Sequence, residues 1–168
     1  MCIRDRITRA DQGVERAEAL VERHRGRPAE VVCRHVWGHL DRFSGTRHEG
    51  TEPIEALSGR RLVVCSGLGN PAHLLRQVEA SGATIVDHLA NPDHARYGAR
   101  ELAAIEAACA QGDALLTSGK DWVKLREGLE ARSFGVPVLV PRVRIEFDRG
   151  ADRLAEAIGA AAGREPVL

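Results

Sequence analysis

Short apolar runs alternate with amphipathic stretches along most of this chain, and the alternation predicts an α/β fold. Leu62 to Cys65 is a continuous apolar run, closed by the turn sequence Ser66-Gly67-Leu68-Gly69-Asn70. A run of that length bounded by turn residues predicts a strand. Pro71 then suits the first turn of a helix, where its missing N–H costs nothing. Leu74, Leu75 and Val78 give that helix an apolar stripe, and Gly82 stops it. Ala83 to Val86 reads as a second strand, which makes the unit a βαβ crossover. Sheets built this way collect their chemistry in loops at the carboxyl ends of strands. The glycine loop and the later Asn91-Pro92-Asp93-His94 loop both sit at such ends, so the two can face one site.

The same reading extends along the chain. Val14 to His24 predicts an amphipathic helix with Ala17, Leu20 and Val21 on one side, ended by Gly26 and Pro28; Glu30 to Val36 predicts a strand. Leu40 to Gly59 is rich in charge and turn residues and reads as a connection, anchored by Ile54 and Leu57. Ala99 to Ala110 predicts a helix with Leu102, Ile105 and Cys109 on one face, and Asp113 to Thr117 an apolar strand. A further helix is expected to run to about Ala131. Val136 to Val140 predicts a strand whose Pro137 favours an edge position. Val143, Ile145 and Phe147 alternate with Arg144 and Glu146, the period of a half-exposed strand, and Ala151 to Ala162 predicts a terminal helix. The expected fold is α/β: an open, mostly parallel sheet with helices on both faces (an α/β/α sandwich) and an antiparallel edge strand near residues 143–147. Residues 1–6 are polar where a strand should be apolar, and read as a non-native remnant; residues 59–168 read as one α/β domain.

Composition narrows the function. The 168 residues are 43% hydrophobic and 29% charged, enough for a domain with a real core. The formal net charge is zero, which provides no overall basic field for nucleic acid. Aromatics are 4%, leaving few stacking platforms for single strands. No apolar run has the length of a membrane span, and no signal-peptide pattern opens the chain. Cys2, Cys33, Cys65 and Cys109 form no CxxC pair, so buried free thiols are expected and no metal site. The basic residues are arginines apart from two lysines, Lys120 and Lys124.

Three motifs carry candidate chemistry. Gly67-Leu68-Gly69-Asn70-Pro71-Ala72 fits the loose dinucleotide fingerprint, with Asp87 where a ribose-binding acid would stand; the same loop serves equally as a tight turn. In Pro92-Asp93-His94 the imidazole can act as a base, orient a carboxylate or bind phosphate, or simply hydrogen-bond its loop while Asp93 serves the turn. Thr117-Ser118-Gly119-Lys120-Asp121 is not a P-loop, because Ala114 stands where glycine is required and Asp121 where Ser or Thr must hold magnesium. Lys120 can reach an anion or pair with an acid, and Asp121 can cap the helix.

Taken together and in order, these motifs resemble the carboxy-terminal half of the tetraacyldisaccharide 4'-kinase (lipid A 4'-kinase) family. The family pattern runs G-I-G-N-P, G-A, P-D-H-x-x-Y and T-E-K-D-x-x-K. Here it reads Gly67-Leu68-Gly69-Asn70-Pro71, Gly82-Ala83, Pro92-Asp93-His94 with Tyr97, and Thr117 to Asp121 with Lys124, preceded by Thr8-Arg9-Ala10-Asp11. Gly119 replaces the family glutamate, and Ala95 stands where a second histidine is often found.

The resemblance implies a kinase that moves the γ-phosphate of ATP, with Mg2+, to the 4'-hydroxyl of a tetraacyldisaccharide 1-phosphate. It implies that ATP and Mg2+ are held by an amino-terminal half with a Walker A loop, absent from this chain, and that residues 7–58 are the tail of that half plus a connection. By the same resemblance His94 and Asp93 are catalytic, with Gly67, Gly69, Asn70, Lys120 and Asp121 supporting loops or substrate. The implied partners are ATP, a lipid-linked disaccharide and, through the missing half, the cytoplasmic face of the bacterial inner membrane. The isolated chain is then expected to be inactive. Two other readings stay open: a dinucleotide-binding oxidoreductase module using Gly67, Gly69 and Asp87, and a non-catalytic interaction domain.

Overall fold

A computed structural model describes residues 12–69, 71–92, 96–129 and 133–163. The elements in order are α1 (Gln12–Arg25), β1 (Val32–Ser44), β2 (Arg47–Glu52), a 3-10 turn (Ile54–Leu57), β3 (Arg61–Ser66) and α2 (Pro71–Ala80). They continue with β4 (Thr84–Ala90), α3 (Ala99–Cys109), β5 (Ala114–Thr117), α4 (Gly119–Gly128), β6 (Val138–Arg149) and α5 (Ala151–Ala162). The six strands form one sheet in the order β2-β1-β6-β5-β3-β4. β3 pairs in parallel with both β4 and β5, β5 pairs in parallel with β6, and β1 and β2 are antiparallel.

The chain divides into two units by its contacts, Met1–Val36 with Arg144–Leu168, and Trp37–Val143. The second unit is an α/β/α sandwich. β3 and β5 are buried on both faces, which is why they read as continuous apolar runs rather than alternating ones. Leu62, Val64, Ala114 and Leu116 pack with Leu74 and Val78 of α2. Their neighbours Val63, Cys65 and Leu115 pack on the other face with Leu102 and Ile105 of α3 and with Trp122 and Leu125 of α4. The period-2 pleat thus serves two helical layers at once.

In the first unit ion pairs prevail. Arg149 pairs with Glu18 and donates to the Ala29 carbonyl (3.2 Å), and Arg34 meets Glu146 (3.4 Å) and Asp148 (3.6 Å). Gly150 sits at φ 77° with the Glu30 carbonyl where a Cβ would lie, so only glycine fits.

The structure corrects three expectations. The stretch from Leu40 to Gly59 is not mainly a connection: it holds the end of β1 and all of β2, turning at Gly45. Charge conceals the hairpin, because Arg42 donates to Glu49 (3.1 Å) and Glu52 (2.9 Å) where apolar alternation would otherwise show. The antiparallel edge is this hairpin; residues 143–147 belong to β6, which stands between β1 and β5 in the strand order. Pro137 lies just before β6 and contributes its carbonyl, which accepts from Leu115 N (2.9 Å), so it needs no edge. Among the described residues no helix is long and apolar enough to cross a membrane.

Candidate functional site

Parallel pairing brings the carboxyl ends of β3, β4 and β5 to one side of the second unit. Three polar residues close these strands. Thr117 donates its hydroxyl to the Cys65 carbonyl (2.9 Å), Asn91 N donates to the Ser66 carbonyl (2.8 Å), and Ser66 Oγ lies 3.0 Å from His88 Nε2. The loops after the strands therefore leave from a fixed platform.

Asp121 joins them. It is fully buried, one turn into α4, and its Oδ2 accepts from the backbone N–H of Gly67 (3.0 Å) and from the Ser118 hydroxyl (2.6 Å). Ser118 Oγ in turn accepts from Asp121 N (3.1 Å), so Ser118, not Asp121, is the N-cap. The Asp121 carboxylate reaches across instead, tying the glycine loop of β3 to the helix after β5. Its Oδ1 has no donor in hydrogen-bond geometry among the described residues.

Gly67 is glycine for want of space. A Cβ there would lie 2.8 Å from Asp121 Oδ1, 3.3 Å from the Pro92 carbonyl oxygen and 3.5 Å from the Tyr97 hydroxyl. The glycine loop, the loop after β4 and α4 thus converge on one point. Tyr97 is buried beside it, and the Cys65 thiol donates to its hydroxyl at 3.9 Å. Asn91 Nδ2 contacts the same sulfur at 3.6 Å.

Burial, and secondarily the nearby Cys65 and Asp121, raise the Tyr97 phenol well above its ordinary range, so it stays a neutral donor. Burial likewise pushes the Cys65 and Cys109 thiols up to about 12. A native thiol that holds its proton above the ordinary 9.0 of the unfolded chain stabilises the fold fully below pH 9. That stability is lost as pH rises towards about 12. Urea unfolding between pH 9 and 12 is expected to lose about 1.4 kcal/mol per pH unit for each thiol. A Cys65→Ala, Cys109→Ala chain should show a shallower slope; an identical slope would remove the thiols as its cause.

The remaining expected site residues divide. Gly69 and Lys120 are exposed, and Lys120 has interaction partners. Asn70, Asp93 and His94 lie outside the described residues. Asp87 is on β4 opposite Val63, short of the strand end, and accepts from His88 N (2.7 Å). A ribose-binding acid belongs at the strand's end, and the Gly67 amide that would cradle a pyrophosphate is already held by Asp121. Both facts count against the dinucleotide reading.

A family model described as LpxK, tetraacyldisaccharide-1-P 4'-kinase, matches residues 4–162. The chain belongs to that family. A tetraacyldisaccharide 4'-kinase of Anaeromyxobacter dehalogenans strain 2CP-1 is 40% identical over 157 residues, 90% of this chain and 39% of the relative. One from Anaeromyxobacter sp. strain Fw109-5 is 37% identical over 167 residues, 97% of this chain and 43% of the relative. The chain thus spans about two-fifths of the length of these relatives. It is also similar to a solved structure, LpxK from Aquifex aeolicus in complex with ATP, at 19% identity and a TM-score of 0.49, over 80% of this chain and 36% of that one.

Within the kinase family's T-E-K-D-x-x-K element, here Thr117 to Lys124, the structure assigns three distinct positions. Thr117 fastens β5 to β3, Asp121 fastens α4 to Gly67, and the Lys124 ammonium is buried with no hydrogen-bond partner among the described residues. At Gly119, which replaces the family glutamate, a Cβ would meet only Val140 at 4.0 Å, so the departure leaves the fold unstrained. Sequence reasoning missed Ser66 and Ser118. Their signal was a polar residue placed directly after an apolar run, where a buried strand end needs a partner.

Proposed function

We propose that this chain is the carboxy-terminal portion of a tetraacyldisaccharide 4'-kinase, which transfers the γ-phosphate of ATP to the 4'-hydroxyl of a lipid-linked disaccharide in lipid A synthesis. The observation that carries the reading is the family match over residues 4–162; among the described motif residues, Gly67 and Gly69 follow β3, Pro92 follows β4, and Ser118 leads from β5 into α4. In this reading residues 7–58 are the end of an amino-terminal half and its connection, and residues 59–168 the carboxy-terminal domain. Working at the inner face of the bacterial inner membrane belongs to the same proposal.

The residues present do not fit a nucleotide cradle. The chain contains no G-x-x-x-x-G-K-[ST] sequence. The start of α4, which could attract phosphate, is capped by Ser118 and faced by the Asp121 carboxylate. Among the described residues no group of three His, Cys, Asp or Glu is placed to hold a metal. ATP and Mg2+ are therefore assigned to polypeptide outside these loops. What this chain contributes is Asp93 and His94, which stand between Pro92 and Tyr97 in the sequence, with the imidazole orienting a carboxylate that accepts the hydroxyl proton.

The test is a chimaera in which this chain replaces the matching stretch of the Anaeromyxobacter dehalogenans kinase. Transfer of labelled phosphate from ATP to the disaccharide is expected from the chimaera and not from the 168-residue chain alone. Transfer by the isolated chain, or a folded chimaera without transfer, would sink this reading.

A further inference from the structure

A row of polar side chains runs through the second unit beneath the strand ends, and each member donates to the next. Asn91 Nδ2 donates to the Cys65 sulfur (3.6 Å), and the Cys65 thiol donates to the Tyr97 hydroxyl (3.9 Å). Accepting from Cys65 leaves Tyr97 its own proton to give. Burial first, then Cys65 and Asp121, raise the phenol, so that proton stays in place.

Asp121 stands at the receiving end. Its Oδ2 already accepts from the Gly67 N–H and the Ser118 hydroxyl, while Oδ1, in a fully buried side chain, has no donor in hydrogen-bond geometry among the described residues. A Cβ on Gly67 would lie 2.8 Å from Oδ1 and 3.5 Å from the Tyr97 hydroxyl, so acceptor and donor border the same space. Lys124 is the rival donor, because its ammonium is buried one turn further along α4, also without a hydrogen-bond partner. The row of donors favours Tyr97: a chain that starts at Asn91 must end on an acceptor, and Oδ1 is the acceptor beside its last hydroxyl.

We propose that Tyr97 is a positioning residue for the phosphoryl transfer: its hydroxyl donates off-axis to Asp121 Oδ1 and so orients the carboxylate that holds the glycine loop. The link to a reaction rests on the proposed function. An off-axis bond is weak, so what it supplies is direction more than stability. Direction matters here because one Asp121 oxygen fixes the Gly67 amide, and the Pro92 carbonyl oxygen lies 3.3 Å from the same Gly67 Cβ position. In the proposed kinase Asp93 and His94 follow Pro92 in the sequence, and small misplacements near reacting groups cost turnover steeply.

Tyr97 is the only tyrosine in the chain, so NMR reads its hydroxyl proton without competing phenols. In Asp121→Asn the amide oxygen stays with the Gly67 N–H and the NH2 group faces the phenol. Solvent exchange of the hydroxyl proton is then expected to be at least about tenfold faster than in the unaltered chain, and unchanged in Lys124→Gln. A folded Asp121→Asn chain with the unaltered rate overturns the bond, as does an effect confined to Lys124→Gln. Should Asp121→Asn not fold, a nuclear Overhauser contact between the hydroxyl proton and the Gly67 α-protons of the unaltered chain decides, and its absence overturns the bond. In the chimaera, Tyr97→Phe is expected to lower kcat about tenfold while KM changes by no more than about twofold. Adding Tyr97→Phe to Asp121→Asn should lower kcat no further, because both break one bond. A lower melting temperature with unaltered kcat overturns the positioning role. An unaltered chimaera without transfer sinks the kinase reading and leaves the hydroxyl proton to decide the bond; the role in turnover is then read from the same substitution at the aligned tyrosine of the unaltered Anaeromyxobacter dehalogenans kinase.

Discussion

Asp121→Ala is expected to destabilise this chain by about 3 kcal/mol, read as a lower urea midpoint. The carboxylate is fully buried and accepts two hydrogen bonds, one from the Gly67 amide and one at 2.6 Å from the Ser118 hydroxyl. Alanine leaves the amide without an acceptor and opens a space beside the Pro92 carbonyl and Tyr97. Against this stands the cost of burying a carboxylate with one oxygen unpartnered, which its removal relieves. The two charge-assisted bonds, at roughly 1.5–3 kcal/mol each, outweigh that relief. Asparagine keeps the volume and one acceptor oxygen, so Asp121→Asn should lose about half as much. An Asp121→Ala chain with an unchanged midpoint would mean that the junction of the three loops contributes nothing to the fold.

The sequence makes this junction visible only in pieces. Gly67 and Asp121 each sit in a recognisable strand-to-helix turn, but the bond between them spans 54 residues and needs the parallel register of β3 and β5. Periodicity cannot supply that register. The reason for glycine is also hidden: the position has no left-handed φ, and the constraint comes from Asp121 Oδ1 at 2.8 Å. The layered fold, by contrast, is legible because burial on both faces erases polar residues from β3 and β5, while α2 and α3 keep clean apolar stripes. Legibility fails where ion pairs replace apolar pairing. The β1–β2 hairpin is stitched by Arg42 with Glu49 and Glu52, and Asp41 is buried against Arg142 at 2.5 Å. Such strands resemble a charged connection until their partners are known.

In the chimaera, His94→Ala is expected to lower kcat by about 10²-fold while KM changes by no more than about threefold. His94 lies outside the described residues, between Pro92 and Tyr97 in the sequence. Two residues before it, the Pro92 carbonyl oxygen lies 3.3 Å from where a Gly67 Cβ would be; three residues after it, the buried Tyr97 hydroxyl accepts from Cys65. Pro92 and Tyr97 therefore stand on the platform that Asp121 ties together. By the proposed function the imidazole orients the carboxylate that accepts the hydroxyl proton, an interaction made in the transition state. Removing such a group slows turnover without weakening substrate binding. A loop-holding role predicts something different: a lower melting temperature with kcat near that of the unaltered chimaera. His94→Gln separates the two further, because the amide can still hydrogen-bond the loop but cannot accept a proton at neutral pH. Recovery of turnover in His94→Gln would make the histidine a loop residue, whereas a loss as deep as that of alanine places the imidazole in the chemistry.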